Sequence, residues 1–256
     1  MLEIKDLQFS YGRKENVLNN INLILEPGQI GILLGKNGSG KTTLFKNILG
    51  ICKPKSGEVT FDGKNLSKMT MRERASTVAY VPQHIHFGSL TVYDSILLGR
   101  ISRFGLKACE DDFEAVERIL TEMQLNNIAS KNAEELSGGE KQKVAIARAL
   151  VQEPKVLIFD EPTGNLDIAN EELIIEEAKK IAKEKNIAVL SSLHDLNQAI
   201  NFGQRFFFLK NGTIKYSGNK DIFTSEVLED IYDIHTKILE IEGNKIILGS
   251  NAFKGE

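Results

Sequence analysis

Gly35-Lys36-Asn37-Gly38-Ser39-Gly40-Lys41-Thr42 decides the fold. Four residues separate its first glycine from a Gly-Lys-Thr triplet, the spacing of a phosphate-binding loop, G-x-x-x-x-G-K-[ST]. Upstream, Gln29–Leu34 is a short apolar run without period, as in a strand buried on both faces. Downstream, Lys41–Leu49 carries Leu44, Phe45, Ile48 and Leu49 at helical spacing, and Gly50 is placed to stop the helix. Glycines let the backbone curl until its N–H groups face phosphate oxygens. The helix N-terminus adds partial positive charge. In such a loop Lys41 neutralises the β- and γ-phosphates of a nucleotide, the Thr42 hydroxyl ligates Mg²⁺ and Thr43 reaches the α-phosphate. The plain alternative, a glycine-rich turn with a surface lysine, does not account for the strand before it and the helix after it.

Around the loop the pattern is α/β. Leu2–Phe9 alternates imperfectly, and Val17–Leu25 alternates better, with Val17, Asn19, Ile21, Leu23 and Leu25 expected on one side before Pro27-Gly28 turns the chain. Val59–Asp62, Thr77–Val81, Val156–Phe159, Ile187–Ser191 and Phe206–Leu209 read as strands. From Thr91 the texture becomes helical, over Val92–Leu98, Asp111–Met123 and Glu140–Gln152. Glu171–Lys185 is an amphipathic helix with Ile174, Ala178, Ile181 and Ala182 on one face and a solvated acidic face. Strands alternating with helices predict a mostly parallel sheet. The tail reads as a hairpin, Lys237–Ile241 and Lys245–Leu248 about a Gly243-Asn244 turn.

Composition narrows the classes. The chain has 256 residues, 41% hydrophobic and 26% charged, which suits a folded protein with a sizeable core rather than a disordered one. With 32 basic and 35 acidic residues the net charge is −3, so bulk charge does not hold it on nucleic acid or lipid. The two cysteines, Cys52 and Cys109, lie outside any CxxC pattern, which excludes a disulfide scaffold or zinc module and suggests a reducing compartment. No apolar run reaches the roughly 18 residues that span a bilayer. A cytoplasmic protein that reaches a membrane through a partner is the expectation.

Two further motifs carry chemistry. Val156–Phe159 runs into Asp160-Glu161. Downstream of a phosphate loop, a carboxylate ending a neighbouring strand holds Mg²⁺, commonly through water, which is the role of Asp160. Glu161 then stands near the γ-phosphate as general base for the attacking water. Leu136-Ser137-Gly138-Gly139-Glu140 opens a second helix with a hydroxyl and two flexible N–H groups, again the equipment of an anion site. Capping of that helix by Ser137 is the bland alternative. One nucleotide needs one cradle, so a second is explained if two copies pair head to tail, each closing the other's site.

In this order the motifs resemble those of ABC transporter ATP-binding subunits, over residues 1 to about 235. The resemblance implies an ATPase domain at 1–235, with a nucleotide-binding core at 1–86 and 151–235, an N-terminal antiparallel β-subdomain and an inserted helical subdomain at about 87–150. A small accessory hairpin at 236–256 follows. The resemblance also implies ATP and Mg²⁺ as ligands, Tyr11 stacked on adenine with Val17 beside it, and a cradle of Gly35, Asn37, Gly38, Ser39, Gly40, Lys41, Thr42 and Thr43. Ser137, Gly138 and Gly139 would close on the partner copy's nucleotide. Gln83 matches the glutamine that senses Mg²⁺ and the γ-phosphate, so the metal would be held by Thr42, Gln83 and Asp160. His194, in Ser191-Ser192-Leu193-His194-Asp195, matches the switch histidine at the γ-phosphate. Catalysis would fall to Glu161, His194, Gln83 and Lys41. Asp167 matches the aspartate that crosses the dimer interface, although the family's usual Ser-Ala is here Gly164-Asn165. His84, His86 and His235 lack metal-ligand spacing and read as surface or packing residues.

Ala75–Gln83, Leu90–Arg100 and His194–Phe202 are similar to importers of iron chelates, haem and cobalamin; zinc and manganese importers are near. The implied partners are a second copy, transmembrane permease subunits and, indirectly, a substrate-binding protein, with no nucleic acid. The implied location is the inner face of the cell membrane. Residues 84 to about 105 would receive the permease. A DNA-repair ATPase of the same superfamily needs a long coiled coil between loop and signature, and only 96 residues separate Lys41 from Ser137. A translation-type protein needs two cassettes. An iron–sulfur-assembly ATPase is of similar length and is opposed by the importer-like Gln83–Arg100 stretch. A non-hydrolytic scaffold is opposed by Glu161, Gln83 and His194.

Overall fold

The computed structural model describes residues 1–12, 15–104, 107–163, 167–241 and 244–249, the side chains of residues 168 and 244 aside. Gly164-Asn165 and the Gly243 part of the tail turn lie outside the described residues.

Two sheets face each other across one helix. The first is antiparallel, in the order β2 (Leu18–Leu25), β1 (Leu2–Phe9), β4 (Ser56–Phe61), β5 (Lys64–Asn65). The second has six strands in the order β10 (Thr213–Gly218), β9 (Arg205–Lys210), β3 (Ile30–Leu34), β8 (Ala188–Ser192), β7 (Val156–Asp160), β6 (Val78–Val81). All its neighbours are parallel except β10, which turns back on β9.

Each parallel strand is buried on both faces, and that is why these runs show no alternation. Along β3, Leu33 joins a core of Leu2, Ile4, Leu44 and Phe45, beneath the antiparallel sheet. Ile30, Ile32 and Leu34 join a second core with the helices of the opposite face. Helix α1 (Lys41–Ile48) fills the first core and ends at Gly50, φ +71°. Helix α2 (Met71–Thr77) precedes β6. Then α3 (Val92–Leu97), α4 (Glu110–Glu122) and α5 (Gly138–Leu150) form the helical layer. Helix α6 (Ile168–Lys185) buries Ile174, Ala178, Ile181 and Ala182, as its spacing predicts. The chain closes with α7 (Leu196–Phe202), α8 (Ser225–Tyr232) and a hairpin of β11 (Thr236–Ile241) and β12 (Asn244–Gly249). Sequence periodicity misses α2, α7, α8 and β10. The helices among them have seven, seven and eight residues, too short for a repeat to stand out.

The imperfect alternation of the first two strands has a cause. Asp6 and Asn20 take left-handed backbone angles, φ +48° and +49°. Each adds a residue that shifts the register between Ile4↔Leu23, Leu7↔Ile21 and Phe9↔Leu18. Burial therefore switches parity. Leu2 and Ile4 are buried before the bulge, Leu7 and Phe9 after it. On β2, Leu18 is buried where Val17 and Asn19 were expected, while Ile21, Leu23 and Leu25 hold to expectation. The Asp6 N–H donates to Asn22 Oδ1 at 3.0 Å, tying the two bulged strands together.

Candidate nucleotide site

The parallel strands β3, β6, β7 and β8 end at one edge of the sheet, so the loops that follow converge there. The register aligns Leu33 with Ser192, and Ser192 with Asp160. This brings together residues spread over more than 150 positions of sequence.

The cradle leaves β3 at Gly35, whose φ is +150° and whose missing Cβ would lie 2.2 Å from the Leu209 carbonyl oxygen. No other residue fits there. The loop is then pinned once from within and once from outside. Ser39 N–H donates to Lys36 O at 3.1 Å, and Gly212 N–H donates to Ser39 O at 3.1 Å. Lys41 is 7% exposed and folds back into its own loop, where Nζ donates to Gly35 O at 2.7 Å and Lys36 O at 3.3 Å. Burial lowers its pKa, and the nearby charges of Glu161 and Asp160 oppose that shift. The lysine is thus a cation held in a site that costs it solvation, which an incoming anion would repay. The Ser39 hydroxyl is buried and lacks a hydrogen-bond partner, a donor aimed at something the loop itself does not supply.

Val17, Asn37, Gly38, Gly40, Lys41, Thr42, Thr43 and Glu161 line one cleft of 170 Å³. Tyr11 stands at its edge, 46% exposed, with its hydroxyl 3.3 Å from Thr43 Oγ1 and its ring edge-on to Phe9 at 4.8 Å. An exposed aromatic ring beside the cleft is chemically able to stack on a base.

Asp160 ends β7 and is buried. Ser192 Oγ donates to its Oδ1 at 2.8 Å and Tyr80 OH to its Oδ2 at 3.3 Å. Burial, then the Asp160 charge and hydrogen bond, push the Tyr80 hydroxyl strongly up, so it stays a donor. Neither Ser192 nor Tyr80 was singled out from the sequence. Their signal is positional: a hydroxyl at the end of β8 and a tyrosine on β6, both adjacent to β7. Glu161 follows with φ +54°, a left-handed turn that swings its carboxylate out of the strand line, and its N–H donates to Ser192 Oγ at 3.1 Å. One carboxylate oxygen accepts from Gln83 Nε2; the other lies 2.5 Å from His194 Nε2. Three residues from three strand ends therefore meet at a single carboxylate beside the cleft.

The Ser137–Gly139 turn stands apart. Ser137 caps α5 through a reciprocal pair with Glu140, Ser137 Oγ donating to Glu140 Oε2 at 2.7 Å and Glu140 N–H to Ser137 Oγ at 3.4 Å. Hydrogen bonds from the Ser137 hydroxyl and the Ser137 N–H hold the Glu140 carboxyl below the usual carboxylate range. Among the described residues no hydrogen bond joins this turn to the cradle of its own chain. Ser137 and Gly138 are exposed, whereas Gly139 is buried because Asn170 fills the space where a Cβ would stand, 2.4 Å from Oδ1. Asn170 Nδ2 in turn donates to Asp167 Oδ2 at 2.9 Å, and Asp167 caps α6. The glycine turn and Asp167 are thus held on one face by Asn170, which sequence reasoning missed. Glu171, expected on a solvated face, instead accepts from Gln198 Nε2 because α7 packs beside it.

Among the described residues no group of three His, Cys, Asp or Glu forms a metal cage. The donors at hand are the Thr42 hydroxyl, the Asp160 carboxylate and the Gln83 amide, hard oxygen ligands of the kind Mg²⁺ takes alongside phosphates and water. His84 and His86 are exposed, and His235 pairs with Glu229 at 2.9 Å on the surface.

A phosphate cradle, a metal-suited aspartate and a carboxylate gripped by a glutamine and a histidine define a P-loop ATPase. The family model for the ABC transporter matches residues 18–164. An uncharacterised ABC transporter ATP-binding protein of Methanocaldococcus jannaschii is 36% identical over 97% of each chain. The chain belongs to the ABC transporter ATP-binding family, and it is an ATPase that couples ATP hydrolysis to transport. At 32% identity stand the iron(3+)-hydroxamate import protein of Bacillus subtilis (93% of this chain, 90% of that one) and a phosphonates import protein of Halobacterium salinarum (90% and 83%). Among solved structures, an inward-facing metal-chelate type ABC transporter superposes with TM-score 0.84 at 26% identity, covering 97% of this chain and 96% of that one. A bacterial ABC transporter cassette solved as a dimer superposes with TM-score 0.74 at 29% identity, covering 86% and 98%. The fold is therefore that of the ABC ATPase, as the resemblance implied.

Proposed function

We propose that this chain powers an importer of a metal chelate, an iron–siderophore complex, haem or cobalamin, and that two copies close head to tail around ATP. The likeness to the iron-hydroxamate protein and to the metal-chelate transporter supports that cargo class. The phosphonate relatives at equal identity make an organophosphonate the competing cargo. No helix among the described residues is long and apolar enough to cross a membrane, so the chain would work through permease subunits at the inner face, fed by a binding protein.

The single observation that carries the catalytic reading is the Glu161 carboxylate held by Gln83 and His194 beside the Lys41 cleft. Lys41 and the Ser39 hydroxyl bind the phosphates. Tyr11 and Val17 hold the base. Thr42, Asp160 and Gln83 would hold Mg²⁺, which when bound neutralises charge on the β- and γ-phosphate oxygens. Glu161 takes a proton from water as the water oxygen bonds to the γ-phosphorus. The bond from that phosphorus to the β–γ bridging oxygen breaks, leaving ADP and phosphate. His194 keeps the carboxylate aimed and contacts the γ-phosphate. Ser137, Gly138 and Gly139, free of their own cradle, supply the lid for the partner's nucleotide, so the dimer closes on ATP and opens after hydrolysis.

Glu161→Gln tests this directly. Loss of a general base lowers turnover by about 10²–10⁴. ATP should still bind. Wild-type turnover in this variant would remove Glu161 from the reaction. For the cargo, the assembled transporter is isolated from membranes, and uptake of labelled ferric hydroxamate is compared with that of a labelled phosphonate. Phosphonate uptake alone would overturn the chelate reading.

A further inference from the structure

The C-terminal hairpin has no part in the chemistry above, yet its chain touches both sides of the phosphate site. On one side α8 ends against the cradle. Asp233, in a left-handed turn at φ +55°, pairs with Lys36, and the Tyr232 hydroxyl lies near the Gly35 backbone. On the other side β12 is fastened to α7, the helix that begins two residues after His194. The Asn197 side chain meets the Ile247 backbone twice, Nδ2 donating to Ile247 O at 3.1 Å and Oδ1 accepting from Ile247 N–H at 2.8 Å. The hairpin is itself anchored. Ile247 is buried in the core shared with Phe223, Leu228 and Ile231, Lys245 Nζ donates to the carbonyls of Lys220 and Phe223 at 3.2 Å, and Ser225 Oγ donates to Thr236 O at 3.0 Å.

We infer that the hairpin is a brace that sets the distance between the phosphate cradle and His194, and that Asn197 is a positioning residue for ATP hydrolysis. His194 side-chain exposure is 51%, so packing alone does not fix the imidazole. Its position follows from where α7 sits. Asp195 caps α7 locally by accepting from Gln198 N–H at 2.8 Å. Gln198 ties it toward Glu171 and, at 3.1 Å, Thr163. Asn197 ties it to the hairpin, and through the Asp233 turn that follows α8 to Lys36 of the cradle. A two-point bond between an amide side chain and a backbone amide fixes orientation as well as distance, which a single contact does not. Release of that bond leaves the cradle intact and frees α7 on one flank. ATP affinity, set by the cradle, should persist while turnover falls, because a displacement near 1 Å at a reacting group costs up to about 10²-fold in rate. The inference rests on the role given to His194 at the γ-phosphate.

The test uses the full-length protein. Steady-state hydrolysis is measured for wild type, Asn197→Ala and His194→Ala, with ATP affinity measured separately without Mg²⁺. The expectation for Asn197→Ala is kcat at least fivefold lower with ATP affinity within twofold of wild type. A kcat within twofold of wild type overturns the inference, and so does a parallel loss of kcat and affinity, which marks a merely structural contact. Hydrogen exchange covers the case in which the alanine variant does not fold. In otherwise unaltered Glu161→Gln protein, ATP should change the exchange of the Ile247 amide and its neighbours in β12, and identical exchange with and without ATP overturns the brace. Full activity in His194→Ala would discard the histidine's role, whereas the exchange result continues to judge the hairpin's link to the nucleotide.

Discussion

Lys41 carries an unusual combination of demands, and replacing it with methionine separates them. In the folded chain the residue is 7% exposed and its ammonium is bonded to the Gly35 and Lys36 carbonyls. Burial is the leading influence on its pKa and lowers it, against the charges of Glu161 and Asp160. Without nucleotide, the charge is therefore a burden on the fold. Methionine has similar length and no charge to desolvate, and the change forfeits two hydrogen bonds worth about 1 kcal/mol each. Nucleotide-free stability should change by no more than about 2 kcal/mol in either direction. ATP binding should collapse. A unit charge 4 Å from a phosphate oxygen is worth about 4 kcal/mol at an effective dielectric constant near 20. That is about a thousandfold in Kd. The pH dependence has a definite sign. Lys41 titrates lower in the folded chain than its unfolded value of about 10.4. Between those two values the unfolded state binds more protons, so wild-type stability rises with pH relative to the methionine variant. Calorimetric ATP titration and urea unfolding at pH 7 and pH 10 measure both effects. ATP affinity within threefold of wild type would refute the cradle. A loss of more than about 3 kcal/mol of nucleotide-free stability would refute the claim that the buried charge is a cost.

Further substitutions probe the frame that carries the lid. Burial works to raise the Asp112 carboxyl, but hydrogen bonds from Arg100 and Cys109 outweigh it and hold it below the usual carboxylate range. Its Oδ1 lies 2.7 Å from Arg100 Nε in a pair almost closed to solvent. Asp112→Asn should cost about 3 kcal/mol in urea unfolding at pH 7 by leaving the guanidinium under-compensated. The wild-type advantage is fully present above the unfolded value of about 3.9 and is lost as pH falls through the lower folded value. A difference under about 1 kcal/mol at pH 7 would mark the pair as incidental. Gly139→Ala sets a methyl group 2.4 Å from Asn170 Oδ1, displacing the side chain that links the glycine turn to Asp167. Turnover should fall by about tenfold to a hundredfold. Asn170→Ala, which removes the same link, should cause a comparable loss. No loss in either variant would break the proposed link.

The phosphate loop was legible because it needs residue types that nothing else requires together, glycines at a reversal next to Lys-Thr at a helix start. The buried strands were legible from apolar runs such as Val156–Phe159, whose pairing with β6 and β8 buries both faces. Asp160, Glu161, Gln83 and His194 each follow such a run, and parallel strands deliver their ends to one edge. Other features were hidden for physical reasons. The bulges at Asp6 and Asn20 invert side-chain parity without leaving glycine or proline as a sign. Ser192 and Tyr80 act only through strand register with Asp160, and register is a property of pairing, not of any one segment. Asn170 meets Gly139 only through the way α6 packs against α5. Asn197 and Asp233 bond across long sequence gaps, to the Ile247 backbone and the Lys36 side chain, where no spacing rule operates. The helices that carry or precede them, α7 and α8, are too short to announce themselves by period.

ATP joining two copies of this chain is tested most directly by the mass of the Glu161→Gln variant in solution. Sedimentation equilibrium with Mg·ATP should give twice the mass of the chain, reverting to a single copy with ADP. A species of single-chain mass, with ATP bound and the Ser137–Gly139 turn as open to solvent as in the free protein, would contradict the account.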